Sequence, residues 1–247
     1  MEQDASLEDI IYFLDNYCIG KIKLIDIGCG DASKFKLILK NEKYRNIDYT
    51  GLDSIYWDDK GIKLYDTENM KFIYGDACNM PFEKDSFDIA VLSHVFEHIN
   101  DVETLCHQIK RIIKPNGKIL IIVPIEKGGL IGFLNKYRNF GKNLGLFLKK
   151  IKVYNYKLSS PHVQFKTFNE YKNFLSKYFE IIECFGRGGY LMLLCLFLHD
   201  NLMFLSRYKF NFMDFLKNHF KKFYEYCYKK TNSNFPIDAT FILKNKK

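Results

Sequence analysis

His94-Val95-Phe96-Glu97-His98 carries two histidines and a glutamate in the order H-x-x-E-H. On a helix that spacing sets two imidazoles one turn apart and could hold a zinc ion for peptide hydrolysis. The same side chains suit a second chemistry, proton transfer, because histidine titrates close to neutrality. Upstream, Gly28-Cys29-Gly30 has glycines where a chain must turn sharply, which permits unusual dihedrals and close backbone approach to a ligand. Asp53 follows that turn at about the 20-residue distance at which an acid accepts hydrogen bonds from two ribose hydroxyls. Asp76, in Gly75-Asp76-Ala77, is placed to accept from an adenine amino group. Taken singly, each acid is also compatible with a helix cap or a solvated charge; together they point to a nucleotide-type site.

These residues need elements to hold them. Leu7 to Tyr17 has apolar residues at helical spacing, and Ile22 to Ile27 is a short apolar run ending in Gly-Cys-Gly, a strand entering a turn. Ser33 to Leu39 reads as a helix. Further strands are predicted at Asp48–Asp53, Phe72–Asp76, Phe87–Ser93 and Lys118–Pro124, with a helix from Asp101 to Ile113 and a turn at Pro115-Asn116-Gly117. Phe168–Tyr178 reads as a helix, and Phe179–Phe185 and Ala239–Leu243 as the last two strands. Strands alternating with helices predict an α/β fold, a doubly wound seven-stranded and mostly parallel sheet with helical insertions. In such sheets ligands bind at the carboxyl ends of the strands, where Asp26, Asp53, Asp76 and Ser93 are expected.

The segments LIDIGCGDA, TGLD, YGDAC-NMPF, FDIAVLSHVFEHI and IKRIIKPNGKILIIVP, in this order, resemble class I S-adenosylmethionine-dependent methyltransferases. The branch is that of quinone-precursor enzymes and of methyltransferases from bacterial surface-polysaccharide clusters. The likeness spans roughly residues 20–125 and resumes more weakly in HVQFKTFNEYKNFLSKYFEII and the last strand. It implies a Rossmann-like core and S-adenosyl-L-methionine as cofactor. It places Gly28 and Gly30 on the methionine part, Asp53 on the ribose, and Asp76 with Ala77 on the adenine. The full cofactor-binding set expected is Asp26, Gly28, Cys29, Gly30, Asp53, Ser54, Asp76, Ala77, Ser93 and His94. The family often has a third glycine where this chain has Ala32, from which altered packing or affinity follows. The resemblance also puts the HVFEHI segment on the floor of the methyl-transfer site, with no metal, whereas a zinc peptidase needs the motif inside a long helix with a third ligand downstream.

Methyl transfer from a sulfonium is an in-line displacement in which the protein mainly holds the acceptor atom close and aligned. A hydroxyl acceptor also benefits from a base, and the candidate catalytic residues are His162, His94 and His98. His162 follows a predicted insertion, and the resemblance includes a histidine of this kind.

Charge is unevenly spread. Residues 1–125 carry 15 Lys+Arg against 21 Asp+Glu, and residues 126–247 carry 22 against 8, so the second half is strongly basic. A basic half suits a phosphorylated or nucleotide-linked small-molecule acceptor, or an anionic membrane surface. No nucleic acid is expected: the basic residues form no recognisable RNA module, and N-P-P-Y and catalytic-cysteine signatures are absent. The seven cysteines form no C-x-x-C pair, and the acidic N-terminus lacks the regions of a signal peptide, which predicts a cytoplasmic protein. Four parts are expected: 1–125, the cofactor-binding half of the core; 126–165, a lid over the acceptor site; 166–186 with 236–247, the rest of the sheet; and 187–235, an added helical element. Residues 190–230 are read as a peripheral membrane contact at its inner face, a homodimer contact or a helical cap. The function this predicts is O-methylation of a sugar or sugar-derived acceptor in surface-polysaccharide (capsule) biosynthesis. The alternative is methylation of a lipid or quinone precursor, and, from a different class, a non-catalytic cofactor-binding module.

Overall fold

A computed structural model of the chain describes residues 5–54, 66–125, 163–164, 166–187 and 238–247. The chain divides into two compact units: Met1–Val123 with Glu170–Cys184 and Thr240–Lys247, and Pro124–Asn169 with Phe185–Ala239. The lid expected over 126–165 and the helical element expected over 187–235 lie almost entirely outside the described residues.

Seven strands form one sheet: β1 (Ile22–Ile27), β2 (Ile47–Asp53), β3 (Met70–Tyr74), β4 (Phe87–Ser93), β5 (Ile113–Pro124), β6 (Phe179–Arg187) and β7 (Asp238–Asn245). Their order is β3-β2-β1-β4-β5-β7-β6. The mostly parallel doubly wound sheet expected from the sequence is therefore the one observed. β1 pairs in parallel with both β2 and β4, so the winding reverses at β1, and crevices in such sheets open at that reversal. Register sets the strand ends side by side: Asp26 lies opposite Gly51 and Val91, Asp53 opposite Tyr74, and Ser93 opposite Ile122.

The central strands are apolar because helices cover both faces of a parallel sheet. Leu24, Ile25, Ile27, Ala90, Val91, Leu92 and Ile119 to Val123 are all fully buried. Helix α1 (Ala5–Tyr17) turns Ile10, Phe13 and Leu14 inward, and its buried Asp9 accepts a hydrogen bond from Thr240 Oγ1 at 2.5 Å, which ties the helix to β7. Helix α2 (Ser33–Ile38) follows β1 and buries Phe35 and Ile38. Helix α3 (Val102–Ile112) buries Val102, Leu105, Cys106, Ile109 and Ile112, the i, i+3, i+4, i+7 pattern of a helix with one apolar stripe. It begins at Asp101, whose carboxylate accepts from the Thr104 backbone N–H at 2.9 Å, an amide the helix leaves open, and from Thr104 Oγ1 at 2.7 Å. At the far end of the chain, Asn245 Nδ2 donates to the Ile113 carbonyl at 2.7 Å and to the Lys110 carbonyl at 3.1 Å, fixing β7 to the junction of α3 and β5. Among the described residues no helix is long and apolar enough to cross a membrane.

Several element boundaries differ from the sequence expectation. β3 runs from Met70 to Tyr74 rather than to Asp76, because its register follows β2, which ends opposite Tyr74. Helix α4 (Phe168–Leu175) stops three residues early, and 176–178 form a turn. The turn expected at Pro115-Asn116-Gly117 lies within β5, where Asn116 adopts φ +63° and the β4 pairing slips between Phe87 and Ile89.

Candidate active site

The turn after β1 is stapled to the end of β2. The Leu52 carbonyl accepts from the Gly28 and Cys29 backbone N–H groups at 2.7 and 3.1 Å, and Asp53 Oδ2 accepts from the Gly30 N–H at 2.8 Å. The two features paired in the sequence, the glycine turn and the acid that follows it, are thus joined by a direct bond. Gly28 and Gly30 take φ of +74° and +58°, a region that costs other residues strain. At Gly28 space also forbids a side chain, since an added Cβ would come within 2.2 Å of Val95 Cγ2. Ala32, at the place of the family's third glycine, adopts φ +54° and is buried, so it bears left-handed strain at the start of α2.

Asp26 lies beneath this turn. It is buried, and its Oδ2 accepts from Tyr49 Oη at 3.0 Å. Burial pushes its carboxyl up to about 7, against the hydrogen bond from Tyr49 and the positive charge of Lys34, with the Asp53 charge adding to the rise. Burial likewise raises the Cys29 thiol well above the ordinary range, so Cys29 is held as a neutral thiol and is no nucleophile. Asp76 opens the loop after β3 rather than closing that strand. It is exposed, and its Oδ1 accepts from the Cys78 N–H at 2.8 Å. Ala77 is half-buried beside it, and Ser54 is exposed at the end of β2. The far end of the Asp76 loop is held by Arg111, which donates to the carbonyls of Met80, at 2.8 Å, and Phe82.

The segment after β4 is fixed by Phe96. This fully buried ring packs edge-on against Tyr171 and Phe174 of α4, at centroid distances of 6.0 and 6.1 Å. Only Phe96–His98 form a helical turn, of the 3-10 kind, and His94 stands before it at φ +57° with its N–H bonded to the Ile122 carbonyl at 2.9 Å. The H-x-x-E-H pattern therefore does not lie on the long helix that a zinc peptidase requires. Among the described residues no group of three His, Cys, Asp or Glu side chains is placed to hold a metal.

Glu97 is the unusual member of this segment. It is 1 % exposed; its Oε1 faces His94 Nδ1 at 3.7 Å and His98 Nε2 at 3.9 Å, and its Oε2 has no hydrogen-bond partner. Those separations lie outside hydrogen-bond reach, and a buried acceptor left unsatisfied costs about 1–3 kcal/mol. Glu97→Met should therefore raise the urea midpoint, by about 1 kcal/mol in stability. A fall in the midpoint would mean that the carboxylate is held by more than its two histidines.

Sequence reasoning did not find four residues that shape this site: Tyr49, Val95, Ser6 and Lys34. Tyr49 was legible only as an apolar strand position and Val95 as filler between histidines. Lys34 Nζ donates to Ser93 Oγ at 3.1 Å and to Ser6 Oγ at 2.5 Å, bringing α2, β4 and α1 together through contacts that no local pattern encodes. His162 lies outside the described residues.

Comparison with known proteins agrees with this geometry. Residues 25–121 match the methyltransferase domain family. Among solved structures, a putative sarcosine dimethylglycine methyltransferase from Galdieria sulphuraria superposes with a TM-score of 0.58 at 15% identity, covering 98% of this chain and 84% of that one. The core has the fold of class I methyltransferases. A second neighbour is the Haemonchus contortus phosphoethanolamine N-methyltransferase 2 in complex with phosphomonomethylethanolamine and S-adenosylhomocysteine. Its TM-score is 0.56 at 19% identity, with 97% of this chain and 53% of that one covered. At such identities the likeness is one of fold. Among sequence relatives, the demethylmenaquinone methyltransferase of Bacillus velezensis is 24% identical over 139 residues, 55% of this chain and 59% of that protein. The chain thus matches somewhat over half the length of that relative.

Proposed function

We propose that this chain is an S-adenosyl-L-methionine-dependent methyltransferase acting on a small-molecule acceptor. The observation that carries the reading is the glycine turn bonded to Asp53 at the reversal of the sheet. The cradle fits the cofactor: left-handed glycine backbone with no room for a Cβ at Gly28, an acid at the end of β2, and a second acid opening the loop after β3. Gly28, Cys29 and Gly30 hold the methionine part, Asp53 and Ser54 the ribose, and Asp76 with Ala77 the adenine. Asp26, Ser93 and His94 complete the floor. The bound cofactor supplies an electrophilic methyl group on a sulfonium.

The chain's own residues align the acceptor and manage its proton. A hydroxyl acceptor loses a proton as its oxygen gains the methyl carbon, and the candidates to take it are His94, His98 and His162. His94 and His98 flank the buried carboxylate of Glu97.

Of the two acceptor classes read from the sequence, the relative named above favours the quinone precursor, and the basic half of the chain is compatible with a phosphorylated sugar. Thermal unfolding with S-adenosylhomocysteine tests the cofactor, since ligand at ~100 times its dissociation constant adds roughly 2.7 kcal/mol. Methyl-labelled cofactor added to a bacterial extract then sorts the acceptors. Label in the organic phase supports a quinone or lipid precursor, and label in the aqueous phase a sugar derivative. Stabilisation without transfer to either phase leaves a binding module, and no stabilisation overturns the reading.

A further inference from the structure

The loop between β3 and β4, which carries Asp76 and Ala77, has little core of its own. Between Gly75 and Ser86 only Met80 is buried, so hydrogen bonds rather than packing must hold it in place. Within the loop, Asp76 Oδ1 accepts from the Cys78 N–H, and the Asp76 carbonyl accepts from the Asn79 N–H at 3.0 Å. Those bonds shape the loop without attaching it to the rest of the molecule.

The attachment comes from α3, at both of its ends. Beside its start, Cys78 Sγ donates to the Asp101 carbonyl at 3.5 Å. In its last turn, Arg111 Nη2 donates to the Met80 carbonyl at 2.8 Å, and Nη1 donates to the Phe82 carbonyl. Gln108 Oε1 accepts from Arg111 Nη2 at 2.7 Å and from Nε at 3.2 Å, which fixes the plane of the guanidinium. The Arg111 main-chain carbonyl accepts from the Asp85 N–H at 3.0 Å, so one residue holds the loop at three places. Pro81 lies between the two carbonyls held by the side chain, and it stands against Gly75. A Cβ added to Gly75 would lie 3.6 Å from Pro81 Cδ. The hold of Arg111 therefore reaches the residue next to Asp76. A planar fork of donors suits this task, whereas a lysine ammonium is a point charge on a flexible stem.

We propose that Arg111 is a positioning residue for the base of the cofactor: by holding the Met80 and Phe82 carbonyls it fixes the Asp76 loop and so sets selectivity for adenine. Arg111 acts through the loop rather than on the ligand. The inference rests on the cofactor reading above, and it adds a residue that neither the glycine turn nor the spacing of the acids indicates.

The test compares two ligands on the wild type and on variants, by calorimetry on the full chain. One ligand is S-adenosylhomocysteine, and the other is S-inosylhomocysteine, in which an oxo group replaces the adenine amino group. The wild type should prefer the adenine ligand by about tenfold or more, the scale of a hydrogen bond to a charged acceptor. In Arg111→Met that preference should shrink to about twofold, through weaker binding of S-adenosylhomocysteine. S-Inosylhomocysteine should bind the variant as it binds the wild type, because the ribose and methionine contacts are untouched, and this also establishes that the variant is folded. A merely structural role for Arg111 would weaken both ligands alike. Arg111→Lys should fall between the two, and it carries the test if Arg111→Met does not fold. A wild-type preference in both variants, or in Arg111→Lys where it alone folds, overturns the role of Arg111, as does equal weakening of both ligands. No preference in the wild type overturns it too, while leaving the cofactor site standing. A wild type that binds neither ligand overturns the cofactor reading itself.

Discussion

Asp53→Ala is expected to weaken S-adenosylhomocysteine binding about a hundredfold by calorimetry, while Asp53→Asn weakens it about tenfold. Two losses combine in the alanine variant. The carboxylate is proposed to accept from the ribose hydroxyls, and hydrogen bonds to a charged acceptor contribute about 1.5–3 kcal/mol each. The same carboxylate accepts from the Gly30 N–H at 2.8 Å and so holds the turn that carries the methionine part of the ligand. Asparagine keeps an acceptor oxygen for that amide but forfeits the charge, which is why it should fall between. Equal affinities in Asp53→Ala and the wild type would mean that the ligand does not meet the end of β2 at all.

The second large effect is one of pH on stability, and it comes from Asp26. Its carboxyl is raised by burial to about 7 from an ordinary 3.8. Between roughly pH 4 and 7 the unfolded chain has released this proton while the folded chain keeps it. The unfolded state then binds fewer protons, so stability falls as pH rises through that window and levels off above it. That rise corresponds to about 4 kcal/mol. Asp26→Asn should remove this slope and make the protein more stable than the wild type at pH 8, measured by urea unfolding at a series of pH values. Asparagine can still accept from Tyr49 Oη, and the other groups acting on this position, Lys34, Asp53 and Cys29, are unchanged in the variant. Parallel pH profiles for the two proteins would show that Asp26 ionises normally.

The sheet and the glycine turn with its acid were legible in local patterns alone. The strand assignments depended on short apolar runs, the central ones buried on both faces, a pattern that survives without knowledge of neighbours, as in Ile22–Ile27 and Phe87–Ser93. Gly28, Gly30 and Asp53 were legible because a glycine turn and the acid that follows it are separated by one helix, so their meeting is nearly local. The glutamate-histidine pattern at 94–98 was misleading as spacing alone. Whether it lies on a helix is decided by Phe96, which inserts between Tyr171 and Phe174 far along the chain and draws the segment into a single 3-10 turn. Which side chains meet at the sheet edge was decided by packing between distant elements. Tyr49 on Asp26, Val95 over Gly28, and Lys34 between Ser6 and Ser93 each join elements that the sequence keeps apart. Local propensity depends on neighbours a few residues away, whereas burial, charge and hydrogen-bond partners at this sheet edge depend on strands brought together only by the order β3-β2-β1-β4.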